Sequence, residues 1–263
     1  MTVNSASHPD CTISSFAFCD ISHILFLPVF WALRGGGAGS WGVIIDATFP
    51  TLPIFNATEH SVNILTATLD QTASLMTTHA KHISDWDQVR AGQHFILTGS
   101  TTNSTLSIST LFKDLDGDTS KAQMSAFLSD AAKIGAAVQE DTTVTTFVND
   151  IIGPPDDSSG LNGILSSRLV PGSVYSDAPE SVGPAYKQLL SQGIPLILGI
   201  LAAGGAFHFY DVLWSCSKLT IHEGQVAANA HIDSAVHPAW RLAKAQVSNS
   251  PLYSSLSQFD GFC

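Results

Sequence analysis

A glycine-rich run at residues 30–44 constrains this chain more than any other segment. It places five glycines between an apolar aromatic segment and a β-branched one. Glycine adopts positive φ without steric cost and lets backbone N–H groups approach a ligand closely. A helix end followed by a tight turn would require only about one or two glycines. The run therefore indicates a loop whose backbone lies against a flat, phosphate-bearing cofactor. Its glycines are Gly35, Gly36, Gly37, Gly39 and Gly42.

One interpretation of this loop is a dinucleotide-binding site, because residues 37–42 fit the fingerprint G-x-G-x-x-G. That fingerprint lies between a strand and a following helix, with an acidic residue about 20 positions further on. Here the order is reversed: residues 30–34 are typical of the end of a helix and residues 43–49 of a strand. Glu59 follows a turn at residues 51–53 and is a poor match for the ribose-binding acid. The reversed order of helix and strand, together with the position of Glu59, argues against a dinucleotide-binding site.

Two sequence strings in this chain resemble those of a known protein family. Residues 30–37 are Phe-Trp-Ala-Leu-Arg-Gly-Gly-Gly, and residues 224–245 are GQVAANAHIDSAVHPAWRLAKA. Together they resemble the FAD-linked oxidases similar to berberine bridge enzyme, in the vanillyl-alcohol-oxidase-like superfamily, and the fungal members above all. Residues 51–203 follow the substrate domain of that family. The resemblance covers most of the chain, and its first motif is specific.

The resemblance implies an α+β fold with two parts. Residues 1–50 correspond to the end of an FAD-binding domain. Residues 51–246 correspond to a substrate domain, in which an antiparallel sheet lies over the flavin and carries helices on its other face. Residues 247–263 form an unmatched tail. The regions that bind the flavin phosphates and attach the flavin precede anything that matches this chain, so we expect an incomplete enzyme that binds FAD weakly or not at all.

The resemblance also implies the cofactor and its contacts. FAD is the expected cofactor, a small molecule the substrate, and O₂ the electron acceptor. The expected reaction is oxidation of an alcohol, a sugar or a secondary metabolite. No catalytic residue and no metal ligand is assigned. The expected backbone contacts to FAD are Gly35, Gly36, Gly37, Gly39, Ser40, Trp41, Gly42, Val43 and Ile44.

Two segments interrupt the family pattern, at residues 11–29 and 206–223. Removal of the first, with one Leu supplied, restores the family string HPDLFWALRGGG, and the genetic code permits splice junctions at both ends. Removal of the second joins Gly205 to the later family segment in the same way. We hypothesise that both segments, and the tail at 247–263, are translated introns; lineage-specific loops are the alternative. All four cysteines lie in these segments, which argues against a disulfide framework.

Composition excludes several classes of function. The net charge of −11 and the pI of about 5.1 argue against nucleic-acid binding, which requires clustered Lys and Arg. The longest apolar runs, 24–33 and 194–203, are shorter than the roughly 20 residues that a membrane-spanning helix requires. The first ten residues do not resemble a signal peptide, although the resemblance implies a secreted parent enzyme. Sequons at Asn56 and Asn103 permit N-glycosylation.

Hydrophobic periodicity predicts alternating helices and strands after residue 50. The apolar run 194–203 is predicted to be a buried strand or helix. The predicted helices are Ser61–Ile83, Thr119–Val138 and Val182–Gln192, and the predicted strands are Gln93–Gly99, Thr105–Phe112 and Thr142–Val148.

Three polar clusters have ordinary structural explanations. The aspartates of residues 114–118 do not follow EF-hand spacing, and we expect Asp118 or Thr119 to cap the next helix. His231, Asp233 and His237 are candidate metal ligands. A single helix that carried all three would be broken by Pro238, which argues against a metal site. His79 and His82 lie near a helix end, where a cation is favourable. The chain could instead be a non-catalytic α+β fragment or binding module.

Overall fold

The computed structural model describes residues 2–4, 12–14, 31–33, 35–36, 54–152, 166–194, 196–201 and 229–250. The strands are β1 (Thr2–Asn4), β2 (Thr12–Ser14), β3 (Asn56–Thr66), β4 (Gly92–Gly99), β5 (Ser104–Lys113), β6 (Ala137–Phe147), β7 (Ser166–Pro171), β8 (Leu196–Leu201) and β9 (Ala243–Ser250). The helices are α1 (Leu69–His82), α2 (Gly117–Lys133), α3 (Val148–Ile152), α4 (Gly172–Asp177) and α5 (Val182–Ser191). Short 3-10 helices cover Pro179–Ser181, Asn229–His231 and Pro238–Leu242.

Seven strands form one antiparallel sheet. Their order is β6-β3-β5-β4-β8-β9-β7, and every pairing in it is antiparallel. β1 and β2 form a separate two-stranded sheet. The expected α+β class with an antiparallel sheet is therefore confirmed. No helix among the described residues is both long and apolar enough to cross a membrane.

The two faces of the sheet differ because side chains alternate along each strand. In β3, residues 58, 60, 62, 64 and 66 are all buried, whereas the residues between them are only partly buried. β5 repeats this pattern over its ten residues. We call the buried side the helix face, and the other side the open face.

The hydrophobic core lies between the helix face and the helices α1, α2 and α5. Antiparallel partners keep one face in register across the strands: Val62 pairs with Ile108, and Ile108 pairs with Phe95. Phe95 in turn pairs with Gly199 of β8. A Cβ on Gly199 would lie 2.0 Å from the Phe95 ring, so the ring lies flat over the glycine. Leu75, Met76, Met124, Phe127, Tyr186 and Leu190 cover these strands from the helices.

The predicted helix Ser61–Ile83 is wrong in its first part, where β3 runs to Thr66. Val62, Ile64 and Thr66 alternate with partly exposed residues, which is the period of a strand rather than of a helix. The helix begins only at Leu69, after a capping box. The Thr68 Oγ1 accepts the Gln71 N–H (3.1 Å), and the Gln71 Oε1 accepts the Ala67 N–H (2.9 Å).

The other predicted elements are confirmed with shifted bounds. α2 runs from Gly117 to Lys133, because Gly135 adopts a φ of +78° and turns the chain into β6. β6 therefore begins at Ala137, five residues before the predicted strand. α5, β4 and β5 lie where the periodicity predicts them. The apolar run 194–203 contains a strand, β8.

A bulge in β9 reverses the alternation of side chains near Lys244. Val170 pairs with Ala245, but the next residue of β7, Pro171, pairs with Ala243. Lys244 is the extra residue, and its buried ammonium group binds the carboxylate of Asp87 in the segment before β4. As a result, Ala243 lies on the open face although Ala245 lies on the helix face.

β9 continues beyond Gln246 into the segment that the sequence analysis assigns to the tail. Val247 pairs with Gly199 of β8 and with Arg168 of β7, and its side chain packs against the main core. Residues 247–250 are thus part of the sheet. The expected insertion at 206–223 and the tail beyond residue 250 lie outside the described residues.

α1 and α5 cross at a glycine. A Cβ on Gly183 would lie 2.0 Å from the Ala73 carbonyl oxygen and 2.3 Å from the Thr77 Oγ1. Since the obstructing atoms include backbone, the helices could accommodate a side chain only by moving apart. An ion pair between Lys187 and Asp70 joins the same two helices at their exposed side.

We expect Gly183→Ala to destabilise the fold by about 1–3 kcal/mol, the usual cost of overpacking. Urea unfolding followed by circular dichroism measures this. Gly117→Ala is the matched control, because its Cβ would meet Thr143 at an ordinary 3.5 Å; its effect should stay within about 0.5 kcal/mol. Equal destabilisation by both variants would contradict the packing argument.

His79 is buried in the core on the inner face of α1. Its Nε2 lies 2.7 Å from the Gln93 Oε1, and the Gln93 Nε2 donates to the Thr110 Oγ1 at 2.9 Å. The rings of Phe95 and Phe127 meet the imidazole edge-on. Burial lowers the pKa of His79 to about 4, so it is not the helix-end cation that the sequence analysis expects. His82 is in contact with two carboxylates instead, Asp85 and Asp130.

We expect His79 to make the fold less stable at mildly acidic pH. Because its pKa is lower in the folded state than in the unfolded chain, only the unfolded chain binds a proton between the ordinary value of 6.5 and about 4. Stability should fall by about 2 kcal/mol from pH 7 to about pH 4.5 through this residue alone. Urea unfolding at both pH values measures the loss.

His79→Gln should remove that share of the pH dependence and leave the remainder, since burial also lowers the pKa of His60 and of His94. Should His79→Gln fold too poorly to measure, the histidine signals of the native chain in an NMR titration give the same pKa. An unchanged slope in the variant, or a His79 pKa near 6.5, would refute the assignment.

Candidate functional site on the open face

The described part of the glycine run is a helix end followed by a turn. Residues 31–33 are helical, and the Gly36 N–H donates to the Ala32 carbonyl oxygen at 2.8 Å. Gly35 adopts a φ of +113°, which residues with side chains rarely adopt. The predicted helix end before the loop is therefore confirmed at these residues.

A distant segment, residues 231–242, packs directly against this turn. The Trp31 Nε1 donates to the Asp233 Oδ1 at 2.7 Å, across 202 positions of sequence. A Cβ on Gly35 would lie 2.4 Å from the Val236 Cγ2, and a Cβ on Gly36 would lie 3.2 Å from the Ala235 Cβ. The two strings that carry the family resemblance thus meet in space, and the missing side chains allow the contact.

Segment 231–242 is itself fixed to the open face of the sheet. The His237 Nδ1 accepts the Ala239 N–H at 3.1 Å and caps the 3-10 helix that follows. Trp240 packs against Ala243, and so does Leu169 of β7. Leu169 pairs with Gln246 and so lies on the open face. The glycine turn therefore lies on the same side of the sheet as the open face.

The open face combines polar and aliphatic side chains. Its centre, on β3, β5 and β4, carries hydroxyl, amide, carboxyl and imidazole groups beside Leu65, Ile96 and Leu111, and β8 contributes further aliphatic side chains. None of the described strand residues on this face is aromatic. The central polar residues are Glu59, Ser61, Asn63, His94, Thr98, Thr105, Ser107 and Ser109.

Glu59, Ser109 and His94 form the only group on this described face that combines a carboxylate with an imidazole. The Ser109 Oγ donates to the Glu59 Oε1 at 2.5 Å, and the Ser61 Oγ donates to the same oxygen at 3.4 Å. His94 pairs with Ser109 on the neighbouring strand. Protein atoms around the ring lower the pKa of His94, and the negative charge of Glu59 opposes that shift. The lowered pKa leaves the His94 imidazole neutral at neutral pH.

Val236 and Ala235 cover one side of the turn at Gly35 and Gly36. The remaining predicted contacts, residues 37–44, lie outside the described residues.

The polar clusters named as metal candidates have other roles. The Asp116 carboxylate caps α2 by accepting the Thr119 N–H at 2.9 Å and the Thr119 hydroxyl at 2.7 Å. The expected cap at Asp118 or Thr119 is therefore wrong by two or three positions. These hydrogen bonds lower the pKa of Asp116. Among the described residues, no three His, Cys, Asp or Glu side chains are grouped as metal ligands.

A second concave region lies at one end of the sheet, where β3, β4 and β5 meet. It encloses about 240 Å³. Its lining offers hydroxyl and amide groups but no ionisable side chain, so it provides no acid–base chemistry. Its lining residues are Leu65, Thr66, Thr98, Gly99, Asn103, Ser104 and Thr105.

Comparison with known proteins identifies the fold. No family model and no curated protein matches the sequence. Among solved structures, a VAO-type flavoprotein from Myceliophthora thermophila C1 superposes with a TM-score of 0.66, at 15% identity, over 90% of this chain and 41% of its own.

Two oxidases superpose in the same way. Glucooligosaccharide oxidase from Acremonium strictum gives a TM-score of 0.57 at 15% identity, over 92% of this chain and 49% of its own. Berberine bridge enzyme from Eschscholzia californica gives 0.55 at 15% identity, over 85% and 41%. The chain has the fold of the VAO-type flavoproteins. It spans less than half the length of each of these three proteins.

Sequence reasoning did not identify Glu59, His94 or Ser109 as site residues. Glu59 was considered only as a ribose-binding acid, because the helix predicted from Ser61 obscured β3. The alternation of polar residues with Leu106, Ile108 and Thr110 in β5 indicates which residues lie on the open face. Once β3 and β4 are recognised as strands, the same alternation places all three residues on one face.

We expect Glu59→Gln to lower the pKa of His94 further, since the variant loses the negative charge that favours the imidazolium. A two-dimensional NMR titration of the histidine side chains measures this. Glu180→Gln is the control, because Glu180 forms an exposed ion pair with Lys81. An unchanged or raised His94 pKa in Glu59→Gln would show that the two groups do not interact.

Proposed function

We propose that this chain contributes the substrate side of an FAD-dependent oxidoreductase that oxidises a small hydroxylated molecule, with O₂ as electron acceptor. The observation that carries the proposal is the contact of the glycine turn with segment 231–242 on the open face of a VAO-type fold. In this proposal residues 1–50 end the flavin domain and residues 51–246 form the substrate domain. The backbone of residues 35–44 would contact the flavin, and the open face would contact the substrate.

The solved structures support FAD and a small-molecule substrate. The glucooligosaccharide oxidase carries a 6-S-cysteinyl, 8α-N1-histidyl FAD. A variant of berberine bridge enzyme was crystallised with (S)-reticuline. Because identity to these structures is only 13–15%, the substrate of this chain must be argued from its own residues.

The open face favours a substrate with hydroxyl groups. Ser61 and Ser109 hydrogen-bond Glu59, and Ser109 pairs with His94. Leu111 and Val144 pair with Glu59 on the two neighbouring strands. The described strand residues of this face include no aromatic ring on which an aromatic substrate could stack. Hydroxyl and amide groups exchange hydrogen bonds with a polyhydroxylated molecule, and an unpaired polar group on either side would be costly. We therefore propose an alcohol or a sugar, rather than an aromatic metabolite, as the substrate.

Each group of the site has a role in the proposed oxidation. Bound FAD would accept a hydride from the carbon that carries the hydroxyl. The Glu59 carboxylate, held by Ser109, accepts a hydrogen bond from the substrate and orients it. The neutral imidazole of His94 can take up the hydroxyl proton, because its lowered pKa leaves a nitrogen lone pair free at neutral pH.

The parent enzyme is proposed to be a secreted fungal glycoprotein. Asn103 supports this proposal, since it is exposed in the turn between β4 and β5. Its Oδ1 accepts only the neighbouring Ser100 hydroxyl, at 3.0 Å. Asn56, in the other sequon, is exposed at the start of β3. Both asparagines are therefore positioned where a glycan would extend into solvent.

We expect the purified chain to bind FAD, though weakly, and to bind riboflavin no better than FAD. Titration up to about 1 mM FAD, followed by calorimetry, detects dissociation constants in that range. Oxygen uptake with a panel of alcohols and sugars then tests the reaction. Glu59→Gln should retain FAD binding and raise KM for any substrate found.

Two results would contradict the proposal. One is no heat of FAD binding at about 1 mM, which corresponds to less than about 4 kcal/mol of binding free energy. The other is oxygen uptake that Glu59→Gln and His94→Gln leave unchanged, which would place the reaction away from the open face. The second variant keeps a hydrogen-bonding side chain but cannot take up the proton.

A further inference from the structure

The hydrogen bond between Trp31 and Asp233 joins two segments that no strand or helix connects. Trp31 precedes the glycine turn by four residues, and Asp233 lies in the segment that approaches β9. The distance of 2.7 Å between Nε1 and Oδ1 is short for an N–H donor, as expected when the acceptor is charged. The indole is 43% exposed, so the bond is accessible to solvent and its two partners are not forced together by burial.

The contacts beside this bond show that its geometry matters. Gly35 and Gly36 lie so close to segment 231–242 that neither could carry a Cβ without moving its neighbour. Such close packing of backbone against Val236 and Ala235 holds only if the two segments keep one relative position. The Trp31–Asp233 hydrogen bond lies directly at the junction of the two segments.

Segment 231–242 is anchored independently of the turn. The Arg241 Nη2 donates to the Ser234 Oγ at 3.4 Å, within the segment. Trp240 packs against Ala243, the first residue of β9. Asp233 is therefore attached to the sheet, whereas Trp31 is attached to the glycine run. A bond between them transmits the position of the sheet to the loop.

We propose that Asp233 is a positioning residue, which through Trp31 holds the glycine turn at Gly35 against the substrate-side sheet and thereby prepares the loop backbone for a flat anionic cofactor. The part that concerns the cofactor rests on the proposed function. The part that concerns the loop stands without it.

Trypsin reports on the loop, because Arg34 lies between Leu33 and Gly35. The rate of cleavage after Arg34 in the full chain is measured by mass spectrometry under native conditions. Asp233→Ala and Trp31→Phe should each accelerate this cleavage about fivefold, the equivalent of one charge-assisted hydrogen bond at an exposed position. Asp233→Asn keeps an acceptor oxygen and should stay within about twofold of the native rate.

The double variant and a matched control separate this contact from general loss of stability. In Trp31→Phe with Asp233→Ala, cleavage should be no faster than in either single variant, since both remove the same bond. Asp70→Ala is the control, because Asp70 is also an exposed aspartate and its ion pair with Lys187 does not involve the glycine turn. Its cleavage after Arg34 should equal that of the native chain. Native circular dichroism confirms that each variant is folded.

Addition of about 1 mM FAD separates the two parts of the proposal. FAD should slow cleavage in the native chain and in Asp233→Asn, and slow it less in Asp233→Ala. A native rate of cleavage in Asp233→Ala, or additive effects in the double variant, would overturn the positioning role. If FAD leaves native cleavage unchanged while Asp233→Ala still accelerates it, the proposed function fails and the positioning of the loop stands.

Discussion

Burial of one face of the seven-stranded sheet by α1, α2 and α5 is the constraint on which the rest of the structure depends. Because side chains alternate along a strand, every apolar residue committed to the helix face assigns its neighbours to the open face. Val62, Ile108 and Phe95 are paired across three strands, so their neighbours Ser61, Ser109 and His94 are paired as well. The polar site is thus ordered by the packing beneath it, although it takes no part in that packing.

Close approach at glycines sets the spacing of several elements. Gly183 lets α5 cross α1, Gly199 lets the Phe95 ring lie over β8, and Gly35 lets the 231–242 segment meet the turn. The glycines at 35 and 36 were expected to serve a cofactor, and in the structure their missing side chains first serve a contact between two protein segments. The contact with segment 231–242 and the proposed contact with a cofactor are compatible, because they would use opposite sides of the loop.

Much of this fold follows from the sequence, and the exceptions have physical reasons. Periodicity predicts α5, β4 and β5 correctly because each of them packs one face against the core. β3 was mistaken for a helix because its apolar residues Ile64 and Leu65 continue into those of α1 without a proline or glycine between them. The Thr68–Gln71 capping box marks the boundary and is visible in the sequence. The contact between Trp31 and Asp233 could not be predicted, since no local pattern relates residues that are 202 positions apart.

The bulge at Lys244 places one residue of β9 outside the regular pairing of the sheet. Ala243 pairs with Pro171 and Ala245 with Val170, so Lys244 has no residue opposite it on β7. In a chain that lacked Lys244, Ala243 would directly precede Ala245, and regular alternation would leave Ala243 on the open face. The segment that meets the glycine turn would keep its side of the sheet, whereas Asp87 would lose the ammonium group that it binds. The extra residue therefore serves the attachment of the segment before β4, and the site on the open face does not depend on it.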